Sequence, residues 1–502
     1  MSYNKAIKYN SKYSIAYSNR GKAKYYLGKY KEAIEDFNQA IKLKNKNQEI
    51  YIFKSICHLF LKERSKVIES FRDYSKLKNN NKNYIYKIIM IAFDEFTGNN
   101  INYIEKLIDI KYDEIWENDT IFSLLSQKNH LKNTTNNTKK ILKYIKSILL
   151  YQYLLLKSLS FSNINDKNNH IEISYYTSLN TLLLLLDDND NDKDKKNEGK
   201  MRMLNISNVN DPKEGKILEI IFDKNDLDIK IINDEENLIT LQTSYTRNKD
   251  SLTMFRLYGK SKNKEATGIC LVIDKKYFND NFFYTPVQES SILSDDKNSN
   301  DNEEEQIDNL NRNLFWILYY NDKENKLIFN PDDSKYSNII IDLKSIKSFK
   351  NKEKINNGKI ALYNKEEIIG YIFSNIYYYT KKLDKELDKE LKNEIFSNLF
   401  ENIKYLIKDE AFFEEQELRM LITTNYENRQ IKIDNDNKRL YINYIKLFDK
   451  NNNYINEIIL GSKVENAESM VEYIKKVLND KYRKEGIKKK DIKVSISKAP
   501  LR

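Results

Sequence analysis

Apolar and small residues between Ala16 and Leu43 recur at helical spacing and predict two antiparallel helices. Tyr17 precedes Gly21, then come Leu27-Gly28, Tyr30, Ala33, Phe37 and Ala40. Gly21 and Ala33 let the helices approach closely, while Tyr17, Phe37 and Leu43 fill the seams. A shift of about 34 residues sets Tyr17 on Tyr51, Gly21 on Ser55, Ala33 on Val67, Ile34 on Ile68, Phe37 on Phe71 and Leu43 on Leu77. The reverse shift sets Tyr3 on Phe37, Ala6 on Ala40 and Ile7 on Ile41, so the chain is expected to start inside the second helix of a unit. From Tyr84 to Phe161 the pattern stays helical. Ile141, Ile145, Ile148, Leu149 and Tyr151 to Leu155 predict a long apolar helix, interrupted by Lys157. Its mixed faces favour a buried connecting helix over an interfacial membrane helix.

After His170 the periodicity changes to short strands broken by turns. A strand ending in Tyr175-Tyr176-Thr177-Ser178 opens into a leucine-rich helix. Further strands are expected over Leu238 to Thr246, Gly268 to Asp274, Trp316 to Tyr320 and Leu418 to Thr423. Ile458-Ile459-Leu460-Gly461 precedes a helix to about Leu478, and a last strand lies near Ile492 to Ile496. Two polar runs, Asp187 to Glu198 and Ser290 to Asn313, read as surface insertions with little to bury.

Composition narrows the function classes. The 502 residues suit two or three domains. Two cysteines, Cys57 and Cys270, exclude a disulfide scaffold or a four-cysteine zinc site and suit a reducing cytosol, so a cytoplasmic protein is expected. Nothing near Met1 resembles a signal peptide, and no run reaches the roughly 18 apolar residues of a membrane span. The net charge of +11 comes from lysines dispersed among acids, which argues against a nucleic-acid footprint. His58, His130 and His170 all lie in the first third, so a histidine-based triad or histidine-ligated metal within the last two thirds is excluded. No metal site is expected.

The repeat between Ala16 and Leu43 resembles the tetratricopeptide family. That resemblance implies an α solenoid of helix pairs whose groove holds a protein or peptide, with Asn19, Lys22, Tyr26 and Phe53 facing the partner. The family's charged clamp for a terminal carboxylate is not reproduced, because Phe53 and Ile56 stand where polar residues would be needed. A helical cap without a partner is the other reading, since fewer than three repeats are found. The expected organisation is repeats over 1–82, a helical linker over 83–165 and an α+β domain with a mixed sheet over 166–502.

Two spacings in that last region carry chemistry. Asn210-Asp211-Pro212 is a turn in which Asp211 can cap the amides that follow. Glu415 and Glu417, two apart, are expected on one face of an entering strand, where paired carboxylates can orient a hydroxyl or stabilise a cation. The bland alternative is a solvated edge with Glu417 and Arg419 as a surface pair.

In order, Tyr175-Tyr176-Thr177-Ser178, Asn210-Asp211-Pro212-Lys213-Glu214-Gly215, Trp316 with Tyr319, Lys408 with Phe412, Glu415, Glu417 and Arg419, and Ile458-Ile459-Leu460-Gly461 resemble a bacterial family called domain of unknown function twenty-nine seventy-one. Tyr175 stands where that family has histidine, and Met254 or Phe255 where it has tryptophan. The strand order is also similar to the mono-ADP-ribosyltransferase layout. This implies NAD as cofactor or substrate, held at Tyr175, Tyr176 and Thr243. Ser244 would shape the nicotinamide site, and Glu417 would be the catalytic acid with Glu415 as its partner. A partner-binding protein and an NAD- or nucleotide-dependent transferase or hydrolase are thus the two function classes.

Overall fold

The structure is a computed structural model. It describes residues 2–45, 49–61, 136–161, 171–186, 199–205, 211–231, 238–260, 264–278, 312–330, 338–346, 365–426, 430–435, 438–448, 453–485 and 491–499, with single positions 47, 63, 66, 67, 69, 70, 73 and 428. Most of the second repeat beyond Leu61, the stretch 74–135, and both polar insertions apart from Arg312 and Asn313 lie outside these residues. So do His130 and His170.

Two compact units emerge, residues 1–154 with 347–387, and residues 155–346 with 388–502. The division falls at Leu154 rather than at the expected 165, and 347–387 goes with the helical unit instead of the α+β domain.

In the helical unit, α1 (Ser2–Tyr9), α2 (Ser14–Tyr26), α3 (Tyr30–Lys42) and α4 (Glu49–Phe60) follow one another. A methyl group at Gly21 would come within 2.6 Å of Phe37 Cε1, so the α2–α3 approach requires glycine there. Ala33, Phe37 and Ala40 on α3 are fully buried. Arg20 grips the buried Asp36 with two hydrogen bonds, Nε at 2.9 Å and Nη2 at 2.6 Å, tying α2 to α3. The long apolar helix is α5 (Asn136–Leu159), buried continuously from Ile145 to Lys157, as a connecting helix would be. Within this unit its Tyr151 stacks on Tyr379 of α9 (Lys365–Asp384), ring centres 6.0 Å apart. Among the described residues no helix is long and apolar enough to cross a membrane.

The second unit is α+β with mixed sheets. Its larger sheet contains β1 (Ile173–Thr177), β2 (Lys200–Asn205), β3 (Leu238–Thr246), β4 (Ile269–Ile273), β5 (Leu314–Trp316), β10 (Glu417–Asn425), β11 (Lys432–Asp434), β12 (Arg439–Lys446), β13 (Ile455–Leu460) and β14 (Lys493–Ile496). The order is β11-β12-β2-β3-β1-β4-β13-β14, with β10 joining β3 to β5. Only β13 and β14 pair in parallel here among the described strands. A smaller sheet runs β8-β7-β6-β9, from β6 (Leu318–Asn321), β7 (Lys326–Phe329), β8 (Ile339–Asp342) and β9 (Ile407–Asp409). The single strand expected over Trp316 to Tyr320 is thus two strands, one in each sheet, broken at Ile317.

Strand β10 pairs with β3 along its whole length, Glu417 opposite Thr246 through Asn425 opposite Leu238. That occupies one edge of β3, so β1 and β2 must share the other. Strand β2 holds Leu241 and Gln242, and β1 holds Thr246. Between them the sheet forks, and Thr243 to Tyr245 have no strand partner on that edge among the described residues.

The close approach of α2 and α3 is testable. Gly21→Ala should weaken hydrogen-exchange protection of α2 and α3 by about 1–3 kcal/mol, and adding Phe37→Leu should restore part of it. Unchanged protection in Gly21→Ala would show that the helices do not depend on this contact.

Candidate active site

The fork opens into a cavity of about 390 Å³. Its wall brings together Tyr175 and Tyr176 from β1, Thr243 and Ser244 from β3, and Glu415 and Glu417. All six residues singled out for chemistry in the sequence line this cavity, but Tyr175 and Tyr176, like Thr243 and Ser244, are strand neighbours that point to opposite faces: the Tyr175 ring packs on Tyr245 and Thr243 Oγ1 donates to the Arg202 carbonyl. Ser244 is the exposed residue of an otherwise buried β3, which marks it as the point where the cavity reaches the strand.

The carboxylates do not both lie on one strand, as the sequence suggested. Glu415 closes a 3-10 turn, Glu410–Glu415; Gln416 then takes a left-handed conformation with φ of 47°, and the strand begins at Glu417. Both side chains still converge, because Lys408 Nζ on β9 donates to Glu415 Oε2 at 2.5 Å and Glu417 Oε2 at 3.0 Å. Nor is Glu417–Arg419 a surface pair. Arg419 is 1 % exposed and grips Glu417 with Nε at 2.6 Å and Nη2 at 2.9 Å. Its Nη1 donates to Glu214 and to the Tyr405 carbonyl.

Separate motifs support this network. Asp211 caps its turn, accepting from Lys213 N at 2.8 Å, and so aims Glu214 inward. Gly215, at φ +77°, lies where a side chain would meet Tyr405 at 2.9 Å. The phenol of Tyr319 accepts the backbone N–H of Glu417 at 2.7 Å. Tyr258 donates to Glu415 Oε1 at 2.7 Å. Thr246 Oγ1 donates to the Glu415 carbonyl at 2.6 Å, and Lys408 sits 4.7 Å over the ring of Phe412.

Electrostatics follow from these contacts. Burial alone would raise the Glu417 carboxyl, but Arg419 and Lys408 outweigh it and, with a hydrogen bond from Ser244, hold it down to about 2. Burial pushes the Glu214 carboxyl up against the pull of Arg419. Burial also raises the phenols of Tyr258, Tyr176 and Tyr175, and it pushes Cys270 up to about 11, which makes that thiol a poor nucleophile. A carboxylate has about four lone-pair positions. Arg419 takes two on Glu417 and Lys408 one, and Ser244 also hydrogen-bonds it.

Lys408, Arg419, Glu214 and Tyr258 were not predicted as site residues, although the spacing that contains Lys408 and Arg419 was in view. Arg202, Gln242 and Arg439, which also line the cavity, carry no local motif. Among the described residues no cluster of acids, histidines and cysteines could hold a metal ion.

The expected partner residues lie in the helical unit. Tyr26 is 65 % exposed and Asn19 half-buried. Lys22 is paired with Glu49 and lies 5.2 Å over the Phe53 ring. Phe53 itself is 7 % exposed, packed by Tyr25 at 5.1 Å and Phe37 at 6.2 Å, so it fills the helix seam instead of lining an open groove.

Among known proteins, the tetratricopeptide repeat family matches residues 14–47, which supports a protein-interaction role for the helices there. No curated protein and no solved structure matches the chain.

The buried network makes a pH prediction. Glu417 sits well below its ordinary 4.5, so its stabilisation is complete above about 4.5 and is lost as the pH falls toward 2. Thermal unfolding of Glu417→Gln should show lower stability at pH 6 and a shallower loss between pH 5 and 2.5 than the unaltered protein. Parallel acid limbs would mean that Glu417 is not held by these cations.

Proposed function

We propose that the chain is a protein-interaction protein that carries a ligand-binding α+β effector domain. Its N-terminal helices dock a protein or peptide partner beside Lys22 and Tyr26. The observation that carries this reading is the tetratricopeptide match over 14–47. Crosslinking the full chain to a partner recovered from cells should fail with Tyr26→Ala and with Lys22→Glu, and persist with the exposed control Lys31→Ala. Equal recovery by all four proteins would remove the docking assignment.

A second reading is favoured by the convergence of Ser244, Tyr175, Tyr176, Thr243, Glu415 and Glu417 on one cavity. In it the α+β unit is a transferase or hydrolase that acts on NAD or a nucleotide. The N-glycosidic bond to nicotinamide breaks and its electron pair leaves with the base. The ribosyl carbon becomes an oxocarbenium-like cation, to which water or an acceptor hydroxyl adds with loss of a proton. Glu417, ionised at neutral pH, stabilises that cation and accepts a ribose hydroxyl. Glu415, held by Lys408 and Tyr258, fixes Lys408 against Glu417. The purified chain should release nicotinamide from NAD, with a loss of at least about a hundredfold in Glu417→Gln and a changed KM in Ser244→Ala. Absence of nicotinamide release from the folded protein would eliminate this chemistry.

A further inference from the structure

The cavity is electrically polarised along its length. Around Glu417 stand three carboxyl groups, Glu214, Glu415 and Glu417, paired with two cations, Lys408 and Arg419, so among the described lining residues there an anion meets no net positive charge. At the other end stand Arg202 of β2 and Arg439 of β12. Arg202 lies with its guanidinium carbon 4.3 Å over the Tyr441 ring. Asp434, cross-strand from Arg439, approaches Arg202 only to 3.7 Å. Among the described residues, Asp434 is the one carboxylate beside these two guanidinia, which leaves positive charge over. The Nε atoms of both arginines are buried and have no hydrogen-bond partner among the described residues.

A second observation points to a ligand. Gln242 on β3 also lines the cavity, is 8 % exposed, and its buried Oε1 has no partner. An unsatisfied buried amide costs about 1–3 kcal/mol unless something meets it. Leu204, directly across from Gln242, supplies apolar wall beside it. Two forked guanidinia match the oxygens of a phosphate group, and a diphosphate offers oxygens to both.

We propose that Arg202 and Arg439 form the phosphate-recognising end of the cavity, that Gln242 contacts the same ligand, and that the ligand class is a nucleoside diphosphate or its ester. This deepens the nucleotide reading above and rests on it for the hydroxyl-bearing end at Glu417.

Calorimetric titration of the full chain with ADP and with adenosine tests it. ADP should bind at least about tenfold more tightly than adenosine, and Arg202→Gln and Arg439→Gln should each weaken ADP by about tenfold or more. Arg483→Gln, an exposed control, should leave it unchanged. If a glutamine variant fails to fold, Arg202→Lys and Arg439→Lys keep the charge but lose the fork, and should still weaken ADP severalfold. The proposal falls if ADP binds no better than adenosine, or if the arginine variants bind ADP like the unaltered protein. ADP binding without nicotinamide release would remove the chemistry and keep the phosphate site. Nicotinamide release that survives both arginine changes with unchanged KM would do the reverse.

Discussion

The α+β unit is organised around a guanidinium that is almost wholly removed from water. Arg419 is buried to within 1 % of its surface, and leaving such a charge unpaired costs several kcal/mol. Its position is therefore tied to Glu417 and Glu214, and through Glu417 to Lys408 and Glu415. Those five side chains come from a turn after β2, from β9, from a 3-10 turn and from β10. The network thus fixes the relation of the two sheets, because Lys408 and Tyr319 belong to the smaller one and Glu417 and Arg419 to the larger. Buried ion networks of this kind add little net stability compared with apolar packing. What this one does is dictate geometry at the floor of the cavity.

Much of this was legible in the chain, and the reasons differ by region. The α2–α3 pair was readable because close packing demands small residues, and Gly21 against Phe37 is such a demand. Strand β3 matched its predicted limits because its apolar run is buried on both faces. The six residues that the layout resemblance implies for a site line one cavity, but the burial of Glu417 and Arg419 is not legible in their spacing. A pattern of alternating acids and a base looks the same whether it faces water or the interior, and only the fold around Arg419 distinguishes a surface pair from a buried one. Arg202, Gln242 and Arg439 were invisible for another reason: they are brought together by strand pairing across more than 200 residues, and no local periodicity records that. Phe53 illustrates the opposite error. Its helical position matched a groove residue, yet Tyr25 and Phe37 draw it into the seam.

The fork in the sheet explains why the cavity lies where it does. A strand fully paired on both edges offers a ligand only side chains. Where β1 and β2 part, β3 also presents an unpaired stretch of edge, and Ser244 becomes reachable from solvent. The divergence places aromatic rings of β1 on one side and the arginine of β2 on the other. An anionic group and a hydroxyl-rich or cation-forming group can then be held at opposite ends of one cavity.

The same electrostatics limit which chemistry the site can perform. With its carboxyl held near 2, Glu417 carries no proton at neutral pH and cannot be a general acid. It can act only as an anion or as a hydrogen-bond acceptor. Tyr258 is the neutral donor beside Glu415, but burial raises its phenol, so proton delivery from it is unfavourable at neutral pH. A reaction that needs protonation of the leaving group is therefore poorly served, whereas departure of a neutral base such as nicotinamide needs none. The cation left behind would meet a preorganised carboxylate whose own counter-ions are fixed in place, so that little reorganisation is needed as charge develops. On the transferase or hydrolase reading proposed above, this arrangement suits reactions in which positive charge appears on the ligand and no proton has to move first.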